Sequence, residues 1–275
     1  MAARRFEMLD RMDPELQALA IAQGGVLTRA QALDGGVPLR QLGSPSRPAA
    51  GATGALVHEL PLLGERPARP FLVERKPERP AHHGNSRTVA ADETVLVHGV
   101  PVTTLARTAV DVARHRGFAA GVITADAVLR REVPREELDA VLGRCLRWPG
   151  LFAAQTSVAF ADALSESALE SLGRVRFHEQ GLPAPELQVW LGGPDGRIGR
   201  VDQYWPEHRT VAEADGALKY AAGTGLFAEK LREDRLRDAG FEVIRYTWDE
   251  ALRYPQLLAI RVREAFARAA RRRVG

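Results

Sequence analysis

The stretch from Arg200 to Lys219, RVDQYWPEHRTVAEADGALK, decides how this chain is read. Val201, Tyr204 and Trp205 favour strand on a first arm, and Thr210 and Val211 on a second. Pro206 to Arg209 carry the turn between them. With Glu207 and His208 as its central residues, Asp202 falls opposite Glu213 and Arg200 opposite Asp215. The side-chain period of two puts Glu213 and Asp215 on one face of their strand. Like charges set directly opposite each other in a sheet cost about 0.2–1 kcal/mol, so the placement needs a reason. A divalent cation between Asp202 and Glu213 supplies one, since Mg²⁺ is typically held by one or two carboxylates with waters and phosphate oxygens. The alternative is an exposed hairpin with scattered acids and a different register.

The surrounding segments read as a compact α/β (α+β) unit over residues 165–275. Ser167-Ala168-Leu169-Glu170 is a capping-box pattern, and the helix behind it carries Leu169, Leu172, Val175 and Phe177 before Gly181. Glu170 either satisfies that cap or reaches the acidic hairpin. Leu187 to Leu191 form a strand, Gly192 to Gly196 a turn, and the next strand runs into Asp202. A helix with Phe227, Leu231 and Leu236 stops at Gly240, Phe241 to Trp248 form a strand, and Asp249 caps the segment after it. A basic helix spans about Gln256 to Arg273. The order gives a mixed sheet flanked by helices. Lys230, Arg232 and Arg235 on the penultimate helix are either phosphate contacts or a surface charge ladder.

Upstream, residues 1–60 read as a small winged-helix-like domain. Asp13-Pro14 opens a helix, Gly24-Gly25 stop it, and Thr28 to Gln31 open a second that Gly35-Gly36 break. Val37 to Leu42 form a short third piece, with Arg40 and Gln41 placed to meet DNA. The competing reading is a small helical domain with no DNA role. Residues 61–164 read as a strand-poor linker region followed by a helical middle domain. Leu56 to Leu63 and Val89 to Val100 look strand-like, and His82-His83 have no Cys or acidic partner at metal-ligand spacing. Thr103 or Thr104 caps a helix on which Arg107 and Asp111 are spaced to pair, and Gly117 ends it. Helices follow at Ala119–Arg131, Arg135–Leu146 and Pro149–Leu164, and all of this reads as scaffold.

Composition bounds the function. With 275 residues the chain has room for two or three small domains. A net charge of +3 permits a nucleic-acid partner without requiring one. Only Lys76, Lys219 and Lys230 of the 38 basic residues are lysine, so Lys219, just past the acidic hairpin, stands out. The single cysteine, Cys145, excludes an intrachain disulfide and a cysteine-rich zinc site. Met1 to Met12 are too polar for a signal peptide, and no apolar run approaches the ~18–20 residues of a membrane span. The expectation is a cytoplasmic protein with no membrane partner.

Several motifs carry a resemblance. Ser167-x-x-Glu170-Ser171-x-x-Arg174, GLPAPELQ, RVD, EADG, EKLRED and GFEVIRYTW occur in order over residues 165–270. Together they resemble a family of bacterial domains related to very short patch repair endonucleases, within the PD-(D/E)xK nuclease superfold. The stretch AIAQGGVLTRAQALDGGVPLRQL is similar to the N-terminal winged helix of AbiEi-type antitoxins. PVTTLARTAVDVAR is similar to the middle segment of actinobacterial proteins that join both parts.

The resemblance implies a restriction-endonuclease-like fold in which Asp202 and Glu213 hold Mg²⁺ or Mn²⁺, with Glu170 completing the site. Where the superfold carries a water-activating lysine, two residues past the second acid, this chain has Asp215. Lys219 is then a displaced substitute, or Asp215 a third metal ligand. The implied activity is Mg²⁺-dependent cleavage or nicking of DNA in phage defence or repair. A toxin or defence-system protein is a possible partner. Two other readings stand beside it: a DNA-binding regulator or antitoxin-like protein with an inactive nuclease fold, and a protein-interaction module with neither activity.

Overall fold

The computed structural model describes residues 48–67, 71–75, 88–193, 196–215 and 225–274. Residues 1–47 of the winged-helix reading over 1–60, with Arg40 and Gln41, the His82-His83 pair and Lys219 all lie outside the described residues. The fold is α+β. The chain divides into two compact units, Met1–Ala161 and Asp162–Gly275. No helix among the described residues is long and apolar enough to cross a membrane.

Among the described residues, the first helix of the first unit is α1 (Gly51–Val57), where the sequence suggested strand from Leu56 onward. Gly54 lies close to the Thr103 and Thr108 hydroxyls, which would stand 3.2 and 3.1 Å from a Cβ at that position. A parallel pair, β1 (Glu74–Arg75) and β2 (Thr88–Val89), and a hairpin, β3 (Thr94–Val97) and β4 (Val100–Thr103), follow. His98 and Gly99, both at positive φ, make its tight turn. The Val89–Val100 stretch is thus two short strands with a 3₁₀ turn, Ala91–Glu93, between them.

Helices α2 (Leu105–Arg116), α3 (Phe118–Arg130), α4 (Arg135–Arg144) and α5 (Leu151–Phe160) form the body of this unit. Thr104 is the α2 cap, and Gly117, at φ 84°, separates α2 from α3. The core of small and branched residues includes Ala109, Val112, Val128, Leu138 and Ala154. The spaced pair is real and buried: Arg107 Nε donates to Asp111 at 2.8 Å. Arg114 donates to the same carboxylate at 2.7 Å, and Arg107 also reaches Glu93 at 3.1 Å. Trp148 faces both guanidiniums, 4.9 and 4.7 Å from its ring.

The second unit carries α6 (Ala168–Glu179), then β5 (Glu186–Gly193), β6 (Gly196–Trp205) and β7 (Thr210–Ala214). Helix α7 (Gly225–Asp238), β8 (Glu242–Tyr246), α8 (Trp248–Arg253) and α9 (Pro255–Val274) complete it. The strand order is β5-β6-β7-β8, antiparallel except for the parallel β7–β8 pair that α7 connects. Leu236 of α7 packs on Val211 and Val243. Phe177 of α6, Trp205 and Phe266 of α9 meet edge to face on the other side. Helix α7 thus packs against β6 and β8, and helices α6 and α9 against β7. Thr247, not Asp249, caps α8, because its hydroxyl accepts the Glu250 amide while Glu250 accepts the Thr247 amide.

Candidate acidic site of the second unit

Pro206 to His208 form a 3₁₀ turn and Arg209 adopts a left-handed conformation, so the β6–β7 hairpin turns over four residues. The pairs Trp205–Thr210, Tyr204–Val211 and Gln203–Ala212 follow from it. Continued by one step, this register sets Asp202 opposite Glu213. The backbone ladder stops there. The Ala214 amide donates instead to Asp202 Oδ2 at 2.9 Å, so a carboxylate occupies the opening between the strands.

Glu213 is buried, and its Oε1 accepts from both terminal nitrogens of Arg232 at 3.1 Å. Arg232 Nη1 also donates to the Arg200 carbonyl at 3.2 Å. The arginine bridges the two strands from α7 and so turns into the acidic site, whereas Lys230 and Arg235 on the same helix are exposed. Gly199 makes room for it: a Cβ there would stand 2.9 Å from Arg232 Cδ. Arg200, the cross-strand neighbour expected for Asp215, donates to Glu166 at 2.7 Å. Asp215 has Arg245 as its cation, at 3.8 Å, and Arg245 is also bound to Glu233 at 2.8 Å.

Glu170 reaches away from its own cap. Ser167 accepts the Glu170 amide, but the Glu170 carboxylate accepts from the Glu166 amide and from Gln188 Nε2, each at 2.9 Å. Burial and then the negative charge of Asp202 push this carboxyl above its ordinary range. Gln188 lies between the pairs Leu187–Gln203 and Val189–Val201 at φ 53°, a left-handed conformation in mid-strand that non-glycine residues rarely adopt. Beneath the acids, Gln203 Nε2 donates to the Glu170 carbonyl at 3.0 Å. The buried Tyr246 hydroxyl donates to Gln203 Oε1 at 3.2 Å. Burial, reinforced by Asp202, Glu170 and Glu213, holds this phenol well above its usual pKa and therefore protonated.

Asp202, Glu213 and Glu170 are thus brought to one end of the sheet, with Asp215 beside them under Arg245. Gln188, Gln203 and Tyr246 belong to the same site and were not singled out in the sequence. The available signal was a glutamine at two positions within otherwise strand-forming runs. Among the described residues, no group of three or more His, Cys, Asp or Glu side chains is arranged to hold a metal ion. The carboxylates of Asp202 and Glu213 are nevertheless the hard oxygen donors Mg²⁺ takes, in the number it commonly takes from protein when phosphates and waters supply the rest. The donor chemistry fits, and Arg232 now holds part of it.

The chain is 34% identical over 174 residues to the uncharacterized protein Rv2248 of Mycobacterium tuberculosis (strain ATCC 25618 / H37Rv). The same identity and span relate it to the uncharacterized protein MT2308 of strain CDC 1551 / Oshkosh. The match takes in 63% of this chain and 64% of each relative, a little under two thirds of their length. No family model matches the chain, and no solved structure matches it significantly.

Proposed function

We propose that this protein is a cytoplasmic Mg²⁺- or Mn²⁺-dependent DNA endonuclease or nickase acting in phage defence or DNA repair. The observation that carries the reading is the Asp202 carboxylate bound to the Ala214 amide, the neighbour of Glu213, just past the last β6–β7 pair at Gln203–Ala212. Asp202 and Glu213 would hold the cation, which when bound polarises the phosphate, lowers the pKa of a water and stabilises the leaving oxygen. Glu170, with its carboxyl raised by burial and by Asp202, is suited to accept the proton that the attacking water loses. Gln188 fixes the orientation of that carboxylate. Lys230 and Arg235, exposed on α7, are candidates to contact the DNA backbone. Lys219 remains the candidate for the displaced lysine, and a toxin or defence-system protein the candidate partner.

A second reading has its own observation in its favour. Arg232 already neutralises Glu213, and Asp215 stands at the lysine position under Arg245. On that reading the second unit is an inactive nuclease fold and the protein is a DNA-binding regulator or antitoxin. Supercoiled plasmid incubated with Mg²⁺ or Mn²⁺ separates the two. The nuclease reading expects nicked or linear product from the wild type and none from Asp202→Asn. Intact plasmid with both proteins, together with a gel shift that Asp202→Asn retains, favours the regulator.

A further inference from the structure

Arg232 is the cation that the sequence placed among the DNA contacts and the structure places on Glu213. Its side chain leaves α7, crosses the face of Gly199 and ends with both terminal nitrogens on one oxygen, Glu213 Oε1. The strongest guanidinium–carboxylate geometry uses two parallel bonds to two oxygens, and this is not that arrangement. Glu213 is buried, with its side chain 8% exposed, and a buried carboxylate without a counter-charge is strongly destabilising. A cation on this carboxylate lowers that cost when no metal is bound, and Arg232 supplies one. Arg232 is 20% exposed, and its guanidinium stays charged at any pH the protein meets.

We propose that Arg232 is the resident cation of this site, holding Glu213 in the metal-free protein and yielding it when a divalent cation binds. The proposal rests on the metal-site reading above and extends it to a positioning residue. A guanidinium and a divalent cation on the same carboxylate repel each other, so occupancy by one disfavours the other. The apparent metal affinity is then reduced by the fraction of protein in which Arg232 still holds Glu213. Once released, the guanidinium remains beside the opening between β6 and β7, with a fork of donors that suits a phosphate.

Mn²⁺ titration of the full-length protein by calorimetry tests this. Two variants weaken the contact by different routes. Arg232→Gln removes the charge. Gly199→Ala keeps it but sets a Cβ 2.9 Å from Arg232 Cδ, at a position outside the left-handed region. Arg232→Gln should bind Mn²⁺ about tenfold more tightly than wild type and Gly199→Ala several-fold more tightly, whereas Arg245→Gln, which removes a charge beside Asp215, should change affinity less. Metal-free Arg232→Gln should melt below wild type and gain more from Mn²⁺ than wild type does. Asp202→Asn should abolish the titration in each background.

If wild type binds through Asp202 but neither Arg232→Gln nor Gly199→Ala binds more tightly, the resident-cation role is overturned and the metal site stands. A tightening by Arg245→Gln equal to that by Arg232→Gln, with Gly199→Ala unchanged, reduces the effect to general charge and also overturns it. No binding by any form overturns both readings.

Discussion

Asp202 accepts the Ala214 amide at 2.9 Å, so a side chain on one strand closes the hydrogen bond that the backbone of that strand leaves open. The contact gives Asp202 a structural duty separate from any chemistry. Asp202→Ala strands a partly buried amide, at a cost of about 1–3 kcal/mol. Asp202→Asn keeps an acceptor in the same place and should lose less than half of that. Urea unfolding of the two variants against wild type measures the difference, and it identifies Asn as the variant for activity work.

Glu170 predicts a pH dependence. Its folded-state pKa lies above its ordinary value of 4.5, because burial and Asp202 disfavour the charged form. The stability this confers is fully present below the unfolded value and is lost as pH rises through the raised one. Glu170→Gln mimics the protonated state and can still accept from the Glu166 amide. It should melt above wild type at neutral pH, with the gap closing as the pH falls to about 4. A gap that widens on acidification contradicts the assignment.

Gly173 and Tyr246 form a coupled pair. A Cβ at Gly173 would stand 2.1 Å from the Tyr246 hydroxyl and 2.5 Å from Cζ, on a ring that is fully buried. Gly173→Ala should therefore cost about 1–3 kcal/mol or more. Adding Tyr246→Phe removes the nearest atom but leaves Gln203 Oε1 without its donor. The double variant should be more stable than the sum of the two single losses, as a double-mutant cycle by chemical denaturation will read.

In the first unit, Asp111 carries two arginines that are each 1% exposed at the side chain. Asp111→Ala leaves those charges without their shared partner and should destabilise this unit by about 3–5 kcal/mol. Asp111→Asn, which retains one acceptor, should lose less. Chemical denaturation followed by circular dichroism reads the shift.

The fold was legible where a local signal and the tertiary contact agree. The Pro206–Arg209 turn and the strand-forming residues on either side of it fix the hairpin register that the structure carries. Arg107 and Asp111 pair as their helical spacing suggests. Leu56 to Leu63 suggests a strand by its apolar run, but Leu56 and Val57 close helix α1 and Leu60, Leu62 and Leu63 pack into the helical core. The capping pattern at Ser167 stated only half of what Glu170 does. Its amide obeys the local rule, while its carboxylate answers to Gln188, a residue on another element with an uncommon backbone conformation. By sequence Arg232 is a phosphate contact or part of a surface charge ladder, because nothing local reveals that Gly199 clears its path to Glu213.

The central claim is that Asp202 and Glu213 share a divalent cation. Crystals grown with saturating Mn²⁺ and measured for anomalous scattering test it directly. The account predicts a peak bonded to a carboxylate oxygen of each residue, with Arg232 moved off Glu213. A peak that touches neither residue, or no peak while Arg232 remains on Glu213, contradicts it.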